Sequence, residues 1–297
     1  MSRVLQVLFF IFLIPQNSFS KAQTFAIIGD AGRWNKSSLA VRNSILAAKV
    51  SDLILPGDNH YDPPKSYDEI WGPWKRKKFN FRLVALGNHT LGYLEEMKYF
   101  EMPQEFFSVV KKDTRWIILN SDNEDRTSEQ MKWLEGQLQI STETFVFIIL
   151  HHPPYTISKF HSWKEKSKFQ IPFRALLWKY RTRITALIVG HDHMASLVSL
   201  NEIPMIVSGA VQDQRPEKPM SYSEDDVQVQ NLWTFKKDPH WARLDINSAK
   251  TPEVWLNFVN ADRDSVACSA RIFPRPILRR SNCKSTGLKW GPIQKGH

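Results

Sequence analysis

Five short blocks each end an apolar run with side chains that bind hard metal ions: Gly29-Asp30, Gly57-Asp58-Asn59-His60-Tyr61, Gly87-Asn88-His89, His151-His152-Pro153 and Gly190-His191-Asp192-His193. In order they offer Asp30, Asp58, Tyr61, Asn88, His151, His191 and His193, a set of carboxylate, phenol, amide and imidazole donors. Two adjacent hydrolytic metal ions need about that: one shared anion between them and separate ligands on either side. Asp58 suits the shared position, because Gly57 permits a sharp turn before it and its carboxylate has two oxygens. Asp30 can serve one metal, while Asn88, His151 and His191 suit a divalent ion. His193 is expected to point the same way as His191 along an extended segment and to reach the neighbouring metal. Each block alone has a plain alternative, since Gly-Asp is usually a turn and Gly-Asn-His usually a loop. Five of them in a workable order are not read as coincidence.

These residues need a scaffold that brings distant loops together, and the apolar runs supply one. Strands are expected over Thr24 to Ile28, Leu53 to Leu55, Leu83 to Leu86, Trp116 to Leu119, Phe145 to Leu150 and Ala186 to Val189. Helical spacing lies between them, over Ser37 to Val50 with Leu39, Ile45 and Leu46 on one side, and again through Met131, Trp133, Leu134 and Leu138. In an α/β sheet, blocks that follow strand ends gather on one rim. The last third changes character, with strands at 204–207, 241–246, 254–259 and 266–272 and no full helices between them. Residues 212–230, rich in Gln, Asp, Glu and Pro, read as a long surface loop.

The ordered pattern Asp, Gly-Asp-x-x-Tyr, Gly-Asn-His, His, Gly-His-x-His resembles that of calcineurin-like metallophosphoesterases, and specifically the purple acid phosphatases. Most of that superfamily begins Asp-x-His; here Gly32 stands two residues after Asp30, and Tyr61 stands three after Asp58, as in the purple type. Gln130-Met131-Lys132-Trp133-Leu134 and Ile206-Val207-Ser208-Gly209-Ala210 are similar to the small, tartrate-resistant members. The resemblance covers roughly residues 23 to 272. It implies an α/β fold of two packed mixed sheets flanked by helices. It also implies Fe(III) at Asp30, Asp58, Tyr61 and His193, and a divalent Fe, Zn or Mn at Asp58, Asn88, His151 and His191. A phenolate is a strong donor to hard Fe(III), which agrees with that division. His152 competes for the place given to His151, which is preferred because the family pattern runs His, one residue, Pro.

The implied activity is acid hydrolysis of a phosphate monoester by a metal-held hydroxide, with His89 as acid beside Asn88 and His161 as a substrate-facing residue. Two positions depart from the family: His60 replaces the usual Phe and Thr90 the acid that often follows Gly-Asn-His. Two other readings stay open. One is a phosphodiesterase or nucleotide hydrolase, with Trp71, Trp74 and Trp163 available to stack a base. The other is a metal-containing binding protein without turnover.

Composition bounds the rest. Arg3, the apolar run Val4 to Ile14 and Ser18-Phe19-Ser20 resemble a cleaved export signal over residues 1–20, leaving a secreted or periplasmic protein with no membrane span. A catalytic domain is expected over 21–273 and a basic tail over 274–297. The formal charge of +10 includes seven basic residues and no acid from Arg271 onward; subtracting these and Arg3 leaves +2 for residues 21–270. The partner expected is a small phosphate ester, with no specific nucleic acid, and the protein is expected to be a monomer. The basic tail is either a solvated extension or a contact for anionic cell-surface polymer, lipid headgroups or nucleic acid. Cys268 and Cys283 are an even pair that can form a disulfide after export or remain two independent thiols.

Overall fold

The computed structural model describes residues 22–209, 221–235, 238–280 and 282–283; residues 1–20, where an export signal is expected, lie outside them. The first half runs β1 (Gln23–Ile27), α1 (Lys36–Ala47), β2 (Asp52–Pro56), α2 (Tyr67–Lys75), β3 (Asn80–Ala85), α3 (Tyr93–Phe100), β4 (Phe107–Lys111) and β5 (Thr114–Ile118). Next come α4 (Thr127–Ile140), β6 (Phe145–Ile149), α5 (Ser167–Lys179), β7 (Ala186–Val189), β8 (Ala195–Leu200) and β9 (Ile203–Ser208). The remainder is β10 (Tyr222–Glu224), β11 (Val227–Phe235), β12 (His240–Asn247), β13 (Glu253–Asn260), β14 (Ser265–Phe273) and β15 (Leu278–Arg279).

Two mixed sheets form. One is ordered β15-β14-β13-β12-β1-β2-β3, the other β10-β11-β8-β9-β7-β6-β5-β4. The β1-β2-β3 and β5-β6-β7 sets are parallel, so each set presents its following loops at one end.

Alternation along the strands divides the core in two. Trp116, Phe145 and Phe147 face the first sheet, where Phe25 meets Trp116 at 4.7 Å between ring centroids. Their neighbours Ile117, Val146 and Ile148 face the helices, packing with Leu134 and Leu138 of α4 and Phe169, Phe173 and Leu177 of α5. Strands covered on both faces read as continuous apolar runs, which is why β5, β6 and β7 stand out in the sequence. The starts of α1 and α2 are set by side-chain caps: Asn35 accepts from the Ser38 amide, and Ser66 with Glu69 forms a capping box on α2.

Three expectations need correction. Residues 212–230 are not a continuous loop, because 222–224 and 227–230 lie in β10 and β11; β11 alternates buried Val227 and Val229 with exposed Gln228. Leu39 does not face the core: it is 40% exposed, and Val41, Ser44 and Ile45 make the buried side of α1. The tail does not separate at 274, since Leu278 and Arg279 pair with Arg271 and Ala270. Of the two alternatives for Cys268 and Cys283, the disulfide is the one present, and it closes that return.

With a sequence separation of 15, the disulfide removes unfolded-chain freedom worth about 3 kcal/mol. The double change Cys268→Ser, Cys283→Ser should therefore lower the unfolding free energy by about 3 kcal/mol and, by freeing the unfolded chain, leave the urea slope equal or steeper. A midpoint that stays put would mean that pairing of β14 with β15 holds the return unaided.

Candidate metal centre

Every sequence-predicted ligand follows a parallel strand on the shared rim: Asp30 after β1, Asp58 and Tyr61 after β2, Asn88 after β3, His151 after β6, and His191 and His193 after β7. The rim is stitched across the two sheets. The Gly29 amide donates to Ser208 O, the His191 amide to Asp30 Oδ2, and His151 Nδ1–H to Pro56 O. Gly57, at φ +95°, lies where an added Cβ would sit 2.6 Å from the His151 ring, so this turn excludes a side chain.

The donors fall into two groups that share Asp58. Around Tyr61 Oη stand Asp58 Oδ2 at 2.6 Å, Asp30 Oδ1 at 2.9 Å and His193 Nε2 at 3.2 Å. Around His151 Nε2 stand Asp58 Oδ1 at 3.1 Å, Asn88 Oδ1 at 3.1 Å and His191 Nδ1 at 3.3 Å. The two oxygens of one carboxylate thus face different donor sets.

The donor chemistry fits two cations. One phenol hydrogen cannot serve both Asp30 and Asp58, and His151 Nε2 faces three electron-pair donors with at most one proton to share. A cation satisfies each group at once. The electrostatics agree. Burial opposes a charged His151, but Asp58 outweighs it and pushes the pKa up to about 9. For Asp58, burial is likewise outweighed, chiefly by His151, and the carboxyl is held well below its ordinary value. Burial, then the Asp30 and Asp58 carboxylates, hold the Tyr61 phenol far above its usual range, a sign that a bound cation reverses. Asp30, Asp58 and His191 all take left-handed φ values of 54°, 55° and 64°, a conformation that costs a non-glycine residue about 1–3 kcal/mol and clusters at functional sites.

That left-handed turn at His191 corrects the expected extended segment: the chain bends at His191 to His193, and the bend, not strand alternation, carries His193 to Tyr61. His152 Nδ1 lies 2.9 Å from Ser121 Oγ, and the residue still stands in one candidate ligand group with His151 and His191, their donor atoms within 4.8 Å of one another. His89 is exposed beside Tyr61, ring centroids 4.5 Å apart, and its backbone N–H donates to Asp58 Oδ1. His161 lies over His191 at 4.0 Å between ring centroids. It also lines a groove of about 490 Å³ with Lys159, Trp163, Tyr222 and Glu224.

Trp71 and Trp74 cannot stack a base, because both are buried in α2; of the three only Trp163 reaches the groove. Gly32 explains the missing Asp-x-His ligand. A Cβ there would lie 2.2 Å from the His60 amide nitrogen, leaving no room for an imidazole.

Sequence reasoning missed two residues beside the site. Glu165 Oε2 stands 3.6 Å from His191 Nε2 and 3.9 Å from His161 Nδ1. Its capping box with Ser162 reads in sequence only as a helix start. Glu96 lies fully buried behind the 87–92 loop, where its sequence neighbours suggest an exposed helix face.

Two mixed sheets with such loops on a common rim form the metallophosphoesterase architecture. The chain belongs to the calcineurin-like phosphoesterase family, whose model matches residues 23–195. It is 24% identical over 216 residues to the Fe(3+)-Zn(2+) purple acid phosphatase 12 of Arabidopsis thaliana, covering 62% of this chain and 45% of that protein. Among solved structures it resembles purple acid phosphatase PPD1 of yellow lupin (Lupinus luteus) seeds (TM-score 0.62, 15% identity, 84% of this chain and 53% of that one). It also resembles GAP50, the anchor in the inner membrane complex of Plasmodium (TM-score 0.69, 14% identity, 89% and 90%). The chain spans about half the length of the two phosphatases. No helix among the described residues is long and apolar enough to cross a membrane.

Proposed function

We propose that this protein is an exported acid phosphatase that hydrolyses phosphate monoesters with two cations. The observation that carries this reading is the divergence of the Asp58 oxygens, one toward Tyr61 and one toward His151. Asp30, Asp58, Tyr61 and His193 would hold Fe(III), and Asp58, Asn88, His151 and His191 a divalent Fe, Zn or Mn. Bound there, the cations supply Lewis acidity and an activated water at acidic pH. Similarity to an Fe(3+)-Zn(2+) purple acid phosphatase supports the pairing of Fe(III) with a divalent ion.

The chain's own groups do the remaining work. Asp58 fixes the spacing of the two donor sets and Tyr61 contributes a phenolate. His89 stands exposed where it can hand its imidazole proton to a leaving alkoxide. His161, on the groove side of His191, orients the ester. Export is supported by the Cys268–Cys283 disulfide, a bond that persists in oxidising compartments. A diesterase reading is favoured by one feature, the Trp163 wall of the groove, which Arg174 backs at 3.7 Å.

The test is the visible spectrum of purified protein with its metal content, followed by rates on para-nitrophenyl phosphate and bis(para-nitrophenyl) phosphate. A purple charge-transfer band, two metals per chain and faster monoester turnover are expected, with the band abolished in Tyr61→Phe. Colourless protein holding two divalent ions would remove the iron–tyrosinate assignment, and faster diester turnover would move the activity to the second reading.

A further inference from the structure

The two departures noted in the sequence, His60 and Thr90, meet at one buried side chain. Tyr67 of α2 packs edge-on against His60, ring centroids 5.1 Å apart, and its hydroxyl lies 2.8 Å from Thr90 Oγ1. The same hydroxyl donates to Glu96 Oε2 at 2.7 Å, while Asn59 Nδ2 donates to Glu96 Oε1 at 2.7 Å. The Leu91 amide donates to Tyr67 Oη, and the Gly92 amide to Thr90 Oγ1. Trp71 Nε1 in turn donates to Asn59 O.

These bonds join two segments that sheet pairing leaves independent beyond the ends of β2 and β3. Asn59 is the neighbour of Asp58 and two residues from Tyr61; Thr90 follows His89 and is two residues from Asn88. Glu96 is fully buried and α3 delivers it between them. A carboxylate in such a place needs all its partners, because an unsatisfied buried polar group costs about 1–3 kcal/mol. Among the described buried carboxylates, Asp30 and Asp58 are candidate metal ligands and Asp192 is held by Thr156, whereas Glu96 bonds Asn59 of the 57–61 loop directly and reaches Thr90 of the 87–92 loop through Tyr67.

We propose that Glu96 and Tyr67 are positioning residues, a buried clamp that sets where Asn88 and His89 stand relative to Asp58 and Tyr61. Neither touches a substrate. Their effect reaches the centre through the two loops, in the way that partners behind ligating residues fix ligand orientation and govern metal affinity. The proposal rests on the phosphatase reading above. It adds that the departures at positions 60 and 90 are two sides of one packing arrangement. Burial pushes the Glu96 pKa up to about 7, against hydrogen bonds that pull it down, so the clamp binds its proton more firmly than a solvent-exposed Glu.

The experiment compares full-length wild type, Glu96→Ala, Glu96→Gln and Tyr67→Phe, each loaded with iron and zinc. Readouts are metal dissociation constants by competition with a chelator, the position of the visible band, and separate kcat and KM for para-nitrophenyl phosphate. Glu96→Ala and Tyr67→Phe should weaken metal affinity roughly 10–100-fold and lower kcat more than KM rises. Glu96→Gln, which keeps an acceptor for Asn59, should recover most of both. Should Glu96→Ala fail to fold, Tyr67→Phe carries the comparison alone, since it conserves the ring volume. Variants that melt earlier but keep wild-type affinity, band and kcat would overturn the proposal and leave a purely structural network. Wild-type protein that neither binds metal nor turns over the ester would overturn the phosphatase reading and this clamp with it.

Discussion

Asp58→Ala is expected to empty both cation positions and bring ester hydrolysis to background. The side chain is 1% exposed and its two oxygens face separate donor sets, so no neighbour can substitute for it. Losing one electrostatic contact at a transition state reduces turnover about 10²–10³-fold. Removing the shared anion goes further, because it also unseats the ions. Asp58→Asn refines the test: the amide keeps the shape but loses the charge and presents a donor on one side. Metal content should drop from two per chain to none in Asp58→Ala and to one or none in Asp58→Asn, while circular dichroism stays native. If Asp58→Asn kept two tightly held metals and full turnover, the shared-carboxylate geometry would be mistaken.

His89→Ala should behave differently, lowering kcat about 10²–10⁴-fold while metal content and the visible band stay put. His89 is exposed and packs on the Tyr61 ring, and it is the backbone N–H of residue 89, which alanine retains, that supports Asp58. Leaving-group chemistry separates two roles. A proton donor matters most for poor leaving groups, so the deficit should be large with an alkyl phosphate such as glycerol phosphate and small with para-nitrophenyl phosphate. An equal deficit on both would assign His89 to binding the phosphoryl oxygens. A loss of metal would make it structural.

The residues that converge on the rim could be read from the sequence because each follows an apolar strand, and buried parallel strands carry few polar residues to confuse the pattern. Strands of mixed polarity were hidden. β11 interleaves Gln228 and Gln230 with its buried valines, and β8 contains Ser196 and Ser199 although it is buried throughout. The ligand blocks named the donors but not their orientation. Nothing in Gly-His-x-His announces the left-handed turn at His191, and nothing in the run Tyr93 to Phe100 says that Glu96 faces inward while Glu95 does not. Such facts belong to three-dimensional packing. The departures at His60 and Thr90 were visible as isolated letters, and only their common contact with Tyr67 makes them one feature.

The placement of β1 bears on how the protein comes into being. Gln23 pairs with Ile246 and Ile27 with Ala242, so the strand that presents Asp30 has β2 on one side and a strand from the last quarter of the chain on the other. Contacts between such distant segments close late, since a long loop must be ordered before they contribute. During synthesis all seven donor residues emerge by position 193, well before β12 exists to complete the first sheet. A ribosome stalled between the two would therefore display the full complement of cation-binding side chains on a half-built sheet. On the proposed two-cation reading, tight metal binding would wait for the final strands that complete the first sheet.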